Sequence, residues 1–231
     1  TTLHAGGKFN TDNYKFSGGL HGVGASVTNA LSKWCNVTVY KDKKEYFIAF
    51  HSYMDEDGKM HSGIPVEPLK VVGKTDKTGT KVTFLPDSDM FGNLKFNFET
   101  ICTRAKELAF LNKGLKIDLT DLNTDRHEFY HYEGGIADFV EYLVEGKNKL
   151  FNKPVYFHAE DKNFDLQVAF IYTDSYTENS FSFVNNIPTI EGGTHETGFR
   201  SAFTKVMNEY ARNNNLLKEK EQFETNVTLW K

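Results

Sequence analysis

Ser17-Gly18-Gly19-Leu20-His21-Gly22-Val23-Gly24-Ala25, running straight into Ser26-Val27-Thr28-Asn29-Ala30-Leu31, joins four glycines to the start of a helix. Glycine has no Cβ, so its backbone can take positive φ and approach an anion closely. The free N–H groups of a first helical turn add donors and partial positive charge. The pattern suits phosphate. Apolar residues at Val23, Val27, Ala30, Leu31 and Trp34 recur at helical spacing and predict a helix with a buried apolar face that ends near Cys35. Spacing excludes two better-known phosphate loops. A dinucleotide fingerprint carries glycines at its first, third and sixth positions, and counted from Gly22 and Gly24 the last of these is Val27. The Gly-Lys pair upstream, Gly7-Lys8, is followed by Phe9 and has Thr2 where a P-loop needs glycine.

Working outward, 231 residues give room for two ordinary domains. The 27 Lys and Arg against 31 Asp and Glu leave a formal charge of -4 with a pI near 6.1. Basic and acidic residues are mixed, which argues against this stretch being the main DNA-gripping surface. The two cysteines, Cys35 and Cys102, make no disulfide framework and no zinc-like cluster, so buried reduced thiols are expected. No apolar run reaches membrane-span length and no signal region opens the chain, so a cytoplasmic protein with no membrane contact is expected. The first residue is not Met, and the chain reads as a cut piece of something longer.

Residues 1–16 read as a polar loop suited to a lid over a ligand. Asn36 to Tyr40 and Tyr46 to Phe50 alternate and predict a hairpin. Ser52 to Gly63 reads as a polar loop, and the spacing of His51, Met54, Met60 and His61 supports no metal site. A strand is expected over Thr80–Leu85. A helix follows with Phe98, Ile101, Cys102, Ala105, Leu108 and Ala109 on one face, ending near Gly114. Strands over Leu115–Leu119 and His127–Tyr132 turn at Asp121 to Asp125, giving an antiparallel sheet with helices on one side. A boundary is expected at Gly134-Gly135. Beyond it come a short helix with Ile136, Phe139, Val140 and Leu143, and a strictly alternating strand from Phe164 to Tyr172. A second strand follows over Ser180–Asn186, then an amphipathic helix through Phe199, Phe203, Val206 and Tyr210, with Thr194 as N-cap and Glu196 in its first turn.

The ordered set of His4-Ala5-Gly6-Gly7-Lys8-Phe9, Tyr14, the glycine loop, and Thr78-Gly79-Thr80 before a strand resembles the ATPase region of bacterial type IIA topoisomerase B subunits, those of gyrase and topoisomerase IV. Phe129-Tyr130-His131-Tyr132-Glu133-Gly134-Gly135, Asn185-Asn186-Ile187 and Gly192-Gly193-Thr194-His195-Glu196 extend the likeness from Thr1 to about Gln222, after which 223–231 departs from the family pattern. The resemblance implies an α+β chain. Residues 1–135 would be the C-terminal part of a Bergerat-type ATPase α/β sandwich including its lid, and 136–222 the N-terminal part of a ribosomal-protein-S5-like transducer. Chaperones and mismatch-repair ATPases share the nucleotide fold and are the alternative, as is an inactive fragment serving only as an interaction module.

Carried over by position, the family's ATP site would use Gly19, Leu20, His21, Gly22, Val23, Gly24 and Ala25 to wrap the triphosphate. Lys8 would add charge there, while Tyr14 and Thr80 would contact the adenine. No catalytic residue is assigned to this chain, His21 included. In the family, the glutamate that activates water and the asparagine that holds Mg2+ lie N-terminal to this stretch, so residues 1–231 alone are expected to be inactive. The intact protein would work with the topoisomerase A subunit as an A2B2 heterotetramer on double-stranded DNA, with ATP-dependent B-subunit dimerisation. Ser32-Lys33-Trp34 and the Thr80–Ser88 segment lean toward topoisomerase IV. Lys41 stands where gyrase-type B subunits commonly carry an arginine that grips aminocoumarin inhibitors.

Overall fold

The computed structural model describes residues 22–93, 95–162, 164–175, 179–218 and 221. The chain divides into two compact units, Thr1–Phe96 and Asn97–Lys231.

In the first unit a short helix, α1 (Gly24–Ala30), leads through Leu31 into β1 (Ser32–Lys41). The helix is shorter than the apolar spacing predicts. Trp34 and Cys35 lie on β1, because Cys35, Val37 and Val39 alternate and find strand partners on both sides, which outweighs a helical period read over a few residues. β1 pairs along its length with β2 (Lys44–Met54), and the two central turn residues, Asp42 and Lys43, take φ of 53° and 58°, as a tight hairpin turn requires. The expected hairpin is present and longer than predicted. On its other edge β2 pairs first with β4 (Lys70–Lys74) and then with β3 (Met60–Pro65), while β5 (Gly79–Pro86) pairs with β1. All these pairings are antiparallel. The stretch expected as a polar loop, Ser52 to Gly63, is therefore mostly strand, turning at 55–59, where Asp55 accepts from Lys59 N and from His61 Nε2 at 2.7 Å. These two bonds hold the Asp55 carboxyl below its usual range, the His61 contact contributing most. A four-residue helix, α2 (Ser88–Phe91), closes the unit, capped by Asp87 through its 3.0 Å bond from Asp89 N.

The second unit opens with α3 (Phe98–Leu111), capped by Asn97, followed by the hairpin β6 (Lys116–Asp121) and β7 (Arg126–His131). This hairpin forms its own two-stranded ladder and does not join the first sheet. Cys102, Ala105 and Ala109 of α3 bury against Tyr130, with Phe98, Ile117, Leu119 and Tyr132 around them. α4 (Ile136–Leu143) packs on α3, and Phe110 sits between them, 1% exposed, its ring 3.6 Å from that of Tyr132 and 5.2 Å from that of Phe139. β8 (Val155–Asp161) and β9 (Phe164–Phe170) form a further hairpin, met by α5 (Thr194–Asn213) through the Phe157–Phe199 and Phe170–Phe203 ring pairs. The strand expected over Ser180–Asn186 shrinks to β10 (Phe183–Val184) paired with β11 (Ile187–Pro188). Asn185 and Asn186 take φ of 50° and 65° and make the turn between them. Thr194 is the first residue of α5 and not its cap; Gly193 stands at the cap with no side-chain bond.

No helix among the described residues is long and apolar enough to cross a membrane. Cys35 and Cys102 are free and buried, and burial pushes the Cys35 thiol pKa up.

Candidate nucleotide-binding site

Of the residues the glycine pattern singles out, Gly22, Val23, Gly24, Ala25 and Thr80 are described; Lys8, Tyr14, Gly19, Leu20 and His21 lie outside the described residues. Gly22 takes φ of 63°, a conformation that favours glycine. Val23 follows in a helical conformation, and Gly24 opens α1 with no side-chain cap on the turn. Gly24 is exposed, and a Cβ built there meets nothing within 4 Å among the described residues. The described residues therefore place no steric demand for glycine at this position.

Thr80 is exposed near the start of β5, opposite Val39 of β1. β1 connects the two candidate segments: α1 feeds one end of it, and Thr80 borders it seven residues beyond Ser32, about 23 Å along the strand.

Sequence reasoning missed the seam that holds α1 in place. The side of the helix that buries is not the apolar one, since Val27 is 46% exposed while Asn29 is 6% exposed. Asn29 Nδ2 donates to Gly63 O at 3.2 Å. Ser32 Oγ donates to Thr28 O at 2.6 Å, taking up a carbonyl at the helix end. Ser52 Oγ donates to Ser32 O at 2.8 Å and accepts from Gly63 N at 3.0 Å. Ser52 can do both because the β2–β3 register shifts between His51 and Tyr53, and such an irregularity re-aims a side chain. The only signal for this in the sequence is Gly63 itself, at φ 62°, which a single chain cannot separate from an ordinary loop glycine.

No group of three or more His, Cys, Asp or Glu among the described residues could hold a metal ion.

Comparison with known proteins defines the class first. The 43K ATPase domain of Thermus thermophilus gyrase B, solved in complex with an aminocoumarin, superposes with a TM-score of 0.72 at 40% identity, covering 87% of this chain and 52% of that one. The topoisomerase IV ATP-binding domain of Francisella tularensis, in complex with a small-molecule inhibitor, gives 0.71 at 26% identity over 91% and 55%. The mixed helix-and-strand architecture is the α+β fold of these Bergerat-type ATPase domains. Residues 135–229 match the family model for DNA gyrase B. The DNA gyrase B protein of Halalkalibacterium halodurans is 47% identical over 95% of this chain, and the DNA topoisomerase 4 B protein of Staphylococcus epidermidis is 50% identical over 96%. The chain belongs to this family of type IIA topoisomerase B subunits and spans about a third of the length of these curated relatives.

Proposed function

We propose that this chain is the ATP-binding portion of a type IIA topoisomerase B subunit, whose intact form uses ATP binding and hydrolysis to close a clamp on DNA and pass one duplex through another. The observation that carries this reading is the glycine loop, with its open approach at Gly24, inside a sequence that follows gyrase B and topoisomerase IV B relatives over nearly all its length. Backbone N–H groups of Gly19 to Ala25 cradle the triphosphate, Lys8 neutralises part of its charge, and Tyr14 and Thr80 contact the adenine. Residues 1–135 belong to the nucleotide-binding domain and 136–222 to the transducer, while 223–231 stands apart from the family pattern.

Mg2+ and the water-activating carboxylate act from outside residues 1–231, so this stretch alone binds nucleotide without turnover. The intact protein is a cytoplasmic partner of the A subunit in an A2B2 assembly. Relatives of both names are similar to about the same degree, and the Ser32-Lys33-Trp34 and Thr80–Ser88 segments incline the choice to topoisomerase IV. Aminocoumarins bind here too, less tightly than to a relative with arginine at position 41.

The test is Gly24→Ala in the full-length parent. Judged from the described residues, an added methyl meets no neighbour, and the change is harmless to the fold. Calorimetry with a non-hydrolysable ATP analogue is expected to show binding weakened at least tenfold in a protein that melts no lower than the parent. Normal analogue affinity for Gly24→Ala would overturn the phosphate-cradle assignment.

A further inference from the structure

We infer that Asn29 is a positioning residue for the nucleotide site: through Gly63 it sets the orientation of α1 and hence of the glycines that meet phosphate. The inference rests on the nucleotide reading of the glycine loop. A seven-residue helix cannot hold itself in water, since nucleation is costly and an isolated turn or two gains few backbone bonds. This one has no side-chain cap at its start and leaves its central Val27 half exposed, so among the described residues the contacts that orient it lie at its far end.

Asn29 lies five residues after Gly24, about 7.5 Å along the helix axis, and any tilt at Asn29 is carried rigidly to the loop. Its amide is buried and bonded to a backbone carbonyl of β3, a rigid strand paired with β2. The packing at that contact is close. A Cβ on Gly63 would lie 2.6 Å from Asn29 Nδ2 and 3.0 Å from its Cγ, and φ at Gly63 is 62°, so both space and backbone require glycine there. Ser52 holds the other side of the same glycine through its N–H. Gly63 is therefore gripped at both backbone polar groups, one by the helix and one by the strand, and the helix has a defined seat.

An interaction of this kind is expected to act on affinity more than on the existence of the fold. In the full-length parent, Asn29→Ala is expected to weaken binding of a non-hydrolysable ATP analogue about tenfold. Asn29→Ser, which keeps a small polar group too short to reach Gly63 O, should do the same and serves if the alanine protein does not fold. Gly63→Ala should weaken binding at least as much, because it displaces the Asn29 amide. If the two act through one contact, the double variant Asn29→Ala/Gly63→Ala binds no worse than the poorer single, and the fold-changes do not multiply.

A purely structural role would lower the melting temperature and leave the analogue affinity of folded protein unchanged. That result, or multiplicative losses in the double variant, would overturn the inference. Gly24→Ala separates the two readings. If it loses affinity while both Asn29 variants keep it, only the positioning role fails; if Gly24→Ala also keeps it, the nucleotide reading of the loop fails with it.

Discussion

Replacing Phe110 with alanine removes the most enclosed large side chain among the described residues of the second unit. At 1% exposure the whole ring is out of water, which for a phenylalanine is worth about 1.5–3 kcal/mol. It stacks on Tyr132 at 3.6 Å and touches Phe139 and Tyr142 at 5.2 and 5.7 Å, between α3, β7 and α4, so a truncated site is lined by large rings that cannot collapse into it. The cavity and the lost ring pairs add to the transfer cost and bring the expected loss to about 4 kcal/mol, within the usual range for such a change. Phe110→Leu keeps much of the volume and should cost only about 1 kcal/mol. Urea unfolding of the chain followed by far-ultraviolet circular dichroism measures both. With a slope of about 2 kcal/mol per molar urea, the alanine variant should shift the midpoint by about 2 M and the leucine variant by a quarter of that. A loss below 2 kcal/mol for alanine, or equal losses for both, would refute the account of this core as one rigidly packed aromatic contact.

Burial raises the phenol pKa of Tyr130 and Tyr132, so the unfolded chain ionises first; stability should hold below about pH 10 and fall as pH rises above it. Tyr130→Phe should flatten that fall in thermal melts taken between pH 9 and 11. Asp87→Ala removes the cap of α2 and should cost about 1 kcal/mol in the same urea assay. Lys41→Arg in the full-length parent is expected to tighten novobiocin binding about tenfold to a hundredfold, since a planar guanidinium makes paired bonds that a single ammonium cannot. Equal affinities by calorimetry would leave Lys41 an ordinary exposed residue at the end of β1.

What could be read from the sequence was what local chemistry decides. The β1–β2 hairpin showed in the alternation around Val37 and Ile48, and α3 in its Cys102-Ala105-Ala109 stripe. What tertiary partners decide could not be read. Trp34 fits a helical period and sits on a strand because two neighbours pair with it. Lys70–Lys74 and Val155–Asp161 became strands with little burial pattern to announce them, most of their residues being exposed. Nothing in the sequence marks Asn29, whose buried partner, Gly63, lies thirty-four positions away.

The double duty of the Ser52 hydroxyl has a spectroscopic consequence. Because it donates to Ser32 O, its single proton is committed, and its lone pair faces the Gly63 N–H. That amide is therefore shielded by a side chain and not by a ladder bond to a neighbouring strand. Its exchange with deuterium is governed by how often the α1 seat opens, a local event separate from melting of the sheet. If the glycine loop binds nucleotide as proposed, slower exchange at Gly63 on adding nucleotide would register that binding on β3.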